Sequence, residues 1–205
     1  MATAIRDIAI LFQLSIMVQA LAQTVPLSEF LARPETQTAS EYLDGYIVQK
    51  PMPQGKHSTI QRDLTMAVER VLKPQKRGRV FPELRCTFAG RSIVPDIAIF
   101  TWERIPRDED GSIANPFSLA PDWIVEILSP DKSQTKATKK ILFCLQHGTQ
   151  LGWLIDPTEQ TVFVYASEQA LQVFDMDSSD RSLSVPNFAS DVHLTVQDMV
   201  HWLLD

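Results

Sequence analysis

Pro121-Asp-Trp-Ile-Val-Glu-Ile-Leu-Ser-Pro130 is the stretch whose reading decides the fold. Between its prolines, Trp123 to Leu128 is apolar except at Glu126. A short apolar run bounded in this way reads as a strand covered on both faces. A carboxylate inside such a strand is costly to bury, so it needs a metal, a counter-charge or a proton. The plain alternative is a structural salt bridge or an exposed strand end.

Val94-Pro-Asp-Ile-Ala-Ile-Phe100 has the same character, and reads as a strand with Asp96 embedded in it. Period-two alternation puts Asp96 on a face with Val94 and Ala98, and Glu126 on a face with Ile124 and Leu128. If the two strands are neighbours, their carboxylates can converge on one divalent cation. Hard cations such as Mg²⁺ prefer oxygen ligands. Such a site can generate a hydroxide nucleophile and stabilise charge developing on a phosphate.

Ser133 to His147 reads as a helix stopped by Gly148. At about 100° per residue, Ala137, Ile141, Cys144 and Leu145 form its buried face. Lys140 falls on the border of that face, from which it could reach back over the sheet towards Glu126. Lys139 points nearly opposite, into solvent. The plain reading of Lys140 is a lysine that snorkels to the surface.

The other segments build a scaffold around these residues. Val25 to Ala32 reads as a short helix, and Glu41 to Val48 as two strands around an Asp44-Gly45 turn. A helix is expected from His57 to Leu72, with Ile60, Leu64, Ala67, Val68 and Val71 as its core stripe. Arg79 to Leu84 and Cys86 to Phe88 read as strands, with Gly90-Arg91 turning the chain. The polar excursion from Thr101 to Ala120 is long enough for a lid or binding loop. Leu151 to Ile155 reads as a strand, and Thr161–Tyr165 with Leu171–Phe174 as edge strands of a hairpin. Thr195 and Asp198 resemble a capping box that starts the last helix. With no repeat or linker, residues 25–205 are expected to form one α/β domain. Residues 1–24 are expected to be an N-terminal extension, with the true start at Met17 and residues 1–16 upstream of it.

The 205 residues suffice for one domain with a sizeable core, and 44% hydrophobic with 21% charged residues suits a globular chain. A net charge of −6 argues against non-specific coating of nucleic acid, but not against a nuclease with acidic ligands and local basic clusters. Cys86 and Cys144 have no metal-ligand spacing and suggest reduced thiols in a cytoplasmic protein. Two groups of basic residues offer themselves to phosphates: Lys73, Lys76, Arg77 and Arg79 in one connection, and Lys132, Lys136 and Lys139 on the helix of Lys140. The first group is equally explained as a solvated turn.

Val94-Pro-Asp-Ile-Ala, Glu126-Ile-Leu-Ser-Pro, Lys140 and Gly152-Trp-Leu-Ile-Asp-Pro157 together resemble the Uma2 family of restriction-endonuclease-like proteins, in its cyanobacterial form. The resemblance runs from about Leu27 to the C-terminus, and takes in Glu41-Tyr-Leu-Asp-Gly45 and His57. It implies the PD-(D/E)XK nuclease fold, a mixed β-sheet flanked by helices. It also implies Asp96 and Glu126 as acidic ligands of Mg²⁺, or of Mn²⁺ in its place, with the backbone carbonyl of Ile127 joining them. Leu128 stands where that pattern carries a lysine, and the resemblance hands the role to Lys140. Tyr46 stands where relatives carry an acid, and Cys144 where they carry an aromatic. Glu83 is a further candidate, as third acidic ligand or general base. Glu41 is a weaker one, and His57 reads as a helix-start or packing residue. The function this implies is a metal-dependent DNA endonuclease without membrane association, dimeric if it cuts both strands. The competing reading is a non-catalytic nucleic-acid- or protein-binding module on a nuclease scaffold.

Overall fold

The computed structural model describes residues 24–178 and 180–204. The extension expected over residues 1–24 lies, up to residue 23, outside them. In chain order the elements are α1 (Leu27–Leu31), β1 (Ser40–Leu43), β2 (Tyr46–Gln49), α2 (Gly55–Leu72), β3 (Gly78–Pro82), β4 (Cys86–Phe88), β5 (Arg91–Ile93), β6 (Ile97–Thr101), β7 (Trp123–Ile127), α3 (Gln134–Leu145), β8 (Leu151–Asp156), β9 (Thr161–Ala166), β10 (Gln172–Phe174) and α4 (Val196–Trp202).

The strands form two sheets. The larger runs β10-β9-β8-β7-β6-β3, and the smaller runs β2-β1-β5-β4. Only the β7–β8 pair is parallel among the described strands. That pair is linked by α3, as a parallel connection requires. Every residue of β7 is buried, as the apolar run predicts for a central strand. Trp123, Val125 and Ile127 point to one face and pack with Ile60, Leu64 and Val68 of α2. Ile124 and Leu128 point to the other and pack with Ala137, Ile141 and Cys144 of α3.

Three local features follow from residue chemistry. Asp44 and Gly45 both have positive φ (52° and 94°), the backbone a two-residue hairpin turn demands. Gly152 of β8 lies under α3, where an added Cβ would come within 2.3 Å of Ile141 Cγ2. Thr195 and Asp198 form the capping box, with Thr195 N–H donating to Asp198 Oδ2 at 2.8 Å and Asp198 N–H to Thr195 Oγ1 at 3.1 Å.

Several expectations are corrected. Asp96 is not inside a strand: β5 ends at Ile93, β6 begins at Ile97, and Val94-Pro95-Asp96 carries the chain between the sheets. Pro95 has no N–H for a ladder, so the run breaks there. Glu83 lies one residue beyond β3, with φ of 50°. β9 is not an edge strand, because β8 and β10 flank it. The excursion from residue 101 to 120 is not a free lid. Ile105, Ala114 and Phe117 are buried, two of them in the cluster on the α3 face, and Arg104 donates to the Ala120 carbonyl at 3.0 Å. Lys132 precedes α3, in a turn closed by its own N–H on the Ser129 carbonyl at 2.8 Å.

Candidate functional site

β6 and β7 pair antiparallel with Ile97 opposite Val125 and Ala98 opposite Ile124. Carrying that register one residue further sets Asp96 across from Glu126, the spacing at which cross-strand side chains touch. Both carboxylates are fully buried at 0% exposure. The break at Pro95 gives Asp96 its reach. Released from the ladder, its side chain turns in, and Oδ2 accepts the Ile127 N–H at 2.6 Å. Within a strand, a residue's N–H and C=O point to the same neighbour, so the Ile127 carbonyl also faces the Asp96 side.

Four elements supply the surroundings. Lys140 of α3 places Nζ 3.0 Å from Glu126 Oε1 and 2.6 Å from Glu41 Oε1 of β1. Glu41 in turn accepts the Val94 N–H at 2.8 Å, which ties the small sheet to the inter-sheet crossing. Lys132 bridges the central pair, with Nζ on Asp96 Oδ2 and 2.6 Å from Glu126 Oε2. Lys50, just past β2, donates to Asp96 Oδ1 at 3.0 Å, Glu83 Oε2 at 2.7 Å and the Val94 carbonyl at 2.9 Å. His57, in the first turn of α2, brings Nε2 to 3.2 Å from Asp96 Oδ2. Gln61, one turn on, donates to the Asp96 carbonyl at 2.7 Å and to Glu83 at 3.2 Å.

The electrostatics follow from this crowding. Burial alone would raise the Asp96 pKa, but Lys132, His57 and Lys50 hold it well below the usual carboxylate range. Burial likewise opposes charge on Lys140, yet Glu126, Glu41 and Asp96 outweigh it and hold its pKa above the ordinary lysine value. Lys50 is raised for the same reason, burial being outweighed by Asp96, Glu126 and Glu83 against opposition from Lys140. The acids Glu41, Glu83, Asp96 and Glu126 outnumber the ammoniums of Lys50, Lys132 and Lys140 by one, four against three.

Glu126 is anomalous within this network. Its oxygens lie at ion-pair distance from two ammoniums, but neither contact has hydrogen-bond angles, so both oxygens are buried without a hydrogen-bond partner. Each oxygen is instead faced by an ammonium, so a cation taking a Glu126 oxygen would do so in place of Lys132 or Lys140. A hard divalent ion fits such donors: the Glu126 and Asp96 oxygens with the Ile127 carbonyl beside them. No group of three His, Cys, Asp or Glu side chains among the described residues forms a metal cage.

The structure thus brings Asp96, Glu126, Ile127 and Lys140 together, and sets Glu83 at the margin with its side chain 42% exposed. Lys140 is not snorkelling: its side chain is 8% exposed. Lys50, Lys132 and Gln61 escaped sequence reasoning as members of the site, because a lysine in a loop and a glutamine on a helix look like any solvated residue. Glu41 and His57 are more central than their sequence context suggested. For His57 the legible clue was position, at the start of the helix whose core stripe begins at Ile60. The basic cluster of Lys73, Arg77 and Arg79 is occupied elsewhere, by Glu69 and Asp191.

The comparisons with known proteins point the same way. The family model described as "Uma2: Putative restriction endonuclease" matches residues 27–197. A crystal structure titled as a putative nuclease belonging to DUF820, from Anabaena variabilis ATCC 29413, is 59% identical, with a TM-score of 0.85 over 87% of this chain and 99% of its own. The mixed α/β architecture is accordingly of the restriction-endonuclease-like kind. No curated protein matches the chain. No described helix is long and apolar enough to cross a membrane.

Proposed function

Because the chain belongs to the Uma2 family, we propose that it is a metal-dependent endonuclease that hydrolyses phosphodiester bonds in DNA. The observation that carries this reading is the facing pair of buried carboxylates, Asp96 and Glu126, at the meeting of the two sheets. Asp96, Glu126 and the Ile127 carbonyl would hold one Mg²⁺ or Mn²⁺. When bound, that ion supplies Lewis-acid polarisation of a phosphoryl oxygen and a water of lowered pKa.

The chain's own residues do the rest. Lys140 stays protonated beside Glu126 and Glu41 and so supplies fixed positive charge towards the phosphoryl group as its negative charge grows. Glu41, itself anchored by the Val94 N–H, fixes the Lys140 ammonium in place. Lys132 and Lys50 occupy the Asp96 oxygens and would be free to turn towards the phosphate once a divalent ion takes those oxygens. Glu83, half in solvent and 2.7 Å from Lys50, would accept a proton from the attacking water. In balance, water adds to phosphorus, the P–O ester bond breaks, and the departing oxygen takes a proton to leave an alcohol and a phosphomonoester.

The second reading, a non-catalytic binding module, is favoured by one observation: Lys132 spans both carboxylates and could close them as a structural ion cluster. Incubation of the purified chain with supercoiled and linear DNA in Mg²⁺ or Mn²⁺ decides between them. The proposal expects metal-dependent scission that Glu126→Gln abolishes. DNA left intact under every metal condition would favour the binding module.

A further inference from the structure

The outer edges of the two sheets are β3 and β10 on the larger and β2 and β4 on the smaller. β3 is closed: Glu69 Oε2 takes the Val80 N–H at 2.9 Å, and the strand carries Arg79 and ends on Pro82. β4 is closed by the 101–120 excursion, where Thr87 donates its N–H to the Phe117 carbonyl at 2.9 Å. β2 lines the cleft above Glu126 and Lys140 through Val48 and Gln49. β10 has none of these covers. It pairs with β9 alone, and among the described residues no backbone hydrogen bond of Leu171 to Phe174 runs beyond that ladder.

An open edge recruits other strands, and proteins ordinarily blunt it with lysine, proline or a bulge. Ala170-Leu171-Gln172-Val173-Phe174 carries no charge and no proline. Leu171 and Val173 are 49% and 47% exposed, and alternation puts them on one face. That face is the one α3 covers: Val173 lies opposite Phe163, which packs into the α3 cluster. Thr138 Oγ1 of α3 is 3.2 Å from Tyr165 Oη of β9, and Leu142, one turn further along that side of the helix, is 43% exposed. Leu142, Val173 and Leu171 thus present apolar surface beside an unpaired row of N–H and C=O groups. The nearest charges stand at the ends of the run or behind it: Glu168, Asp175, and Arg181, whose guanidinium lies 5.1 Å from the ring centroid of Phe174, a residue of the other face.

What satisfies such an edge is another strand, and the order of side chains selects a second copy of this chain. Directly opposite residues of an antiparallel pair share a face, so a two-fold axis between two β10 strands must pass through a residue. With the axis at Gln172, Leu171 of each copy meets Val173 of the other. The two exposed apolar side chains then cover one another twice, the cross-strand contact that stabilises a sheet. With the axis at Val173, Leu171 would instead face Asp175. No charged residue lies within the paired run, so the two copies oppose no like charges there. Such a contact is isologous, and closes at two chains.

We propose that β10 is a homodimer interface, at which two copies pair antiparallel about Gln172 and join their large sheets into one. The inference does not depend on the hydrolase reading above. Sedimentation equilibrium of the full-length chain at micromolar concentration is expected to give twice the 23.1 kDa of one chain. Leu171→Lys/Val173→Lys, which changes two exposed positions, is expected to give the single-chain mass with its circular dichroism unchanged. A single-chain mass for the unaltered protein would overturn the inference and leave a strand of some other protein as the occupant. A doubled mass kept by the lysine variant would overturn it as well, by placing the interface elsewhere. A second measurement holds even if that variant does not fold. Leu171→Cys and Val173→Cys chains are mixed and mildly oxidised, Cys86 and Cys144 being buried. Opposite residues of an antiparallel pair have Cα atoms about 4.5–5.5 Å apart, within reach of a disulfide. The mixture is expected to give at least ten-fold more disulfide-linked dimer than either chain alone. Equal yields, or no linked dimer, would contradict the pairing about Gln172.

Discussion

Glu126→Gln keeps the side chain's shape and removes its charge, so it separates the two roles open to a buried carboxylate. As a cation ligand, Glu126 is needed for metal affinity. The substitution is predicted to weaken Mn²⁺ binding at least ten-fold, read by calorimetry, while the circular dichroism spectrum is retained. Lys140→Met tests its partner. Removing this ammonium leaves Glu126 and Glu41 buried with less compensation, which typically costs about 3–5 kcal/mol. Urea denaturation should show that loss, and Lys140→Met/Glu41→Gln should recover part of it. A third prediction concerns Cys86 and Cys144, free and buried thiols. Burial pushes the Cys86 thiol up to about 12, and Cys144 is raised too, so neither should react with a thiol reagent at pH 8 until the chain is unfolded. At this scale the acids were legible, because a charge that interrupts an apolar run is conspicuous. Lys140 was legible as a direction, from its angle on α3 and from the family pattern. Lys132 and Lys50 were not, since only the fold brings these two loop lysines onto Asp96.

At the level of elements, α3 is what delivers Lys140, and its seat on the sheet depends on Gly152. An added methyl would collide with Ile141, a β-branched side chain that a helix holds in essentially one rotamer. Gly152→Ala is therefore predicted to lose about 1–3 kcal/mol by overpacking, measured by denaturant unfolding. Under the same reading it should lower scission in proportion to the displacement of Lys140. Nearly every helix and strand here was readable from periodicity and from turn residues: the Asp44-Gly45 hairpin, the stripe of α2, the capping box of α4. Periodicity failed at Val94 to Asp96, where an unbroken apolar pattern hides a change of sheet. The missing N–H of Pro95 was the available clue. It failed again for residues 101–120, where polar composition concealed Ile105 and Phe117 as core residues.

For the whole molecule, the meeting of the two sheets with α2 and α3 concentrates charge in one buried cluster, and stability should follow its titration. Asp96 is depressed in the folded state, so its contribution is present above the unfolded pKa of about 3.9 and is lost as pH falls through the folded value. Lys140 is raised, so its contribution is present below the unfolded pKa of about 10.4 and is lost only as pH rises through the folded value. The urea midpoint of the EDTA-treated protein should accordingly stay level, as far as these groups are concerned, between about pH 5 and pH 9, and begin to fall below about pH 4. This bringing together of β1, β2, α2, β6, β7 and α3 around two carboxylates is the part of the site that no local pattern could reveal. The most direct test of its purpose is calorimetric titration of the purified chain with Mn²⁺, beside Glu126→Gln. The account predicts one saturable site in the unaltered chain, weakened at least ten-fold by the substitution. Identical isotherms for the two proteins, or no binding to either, would contradict it.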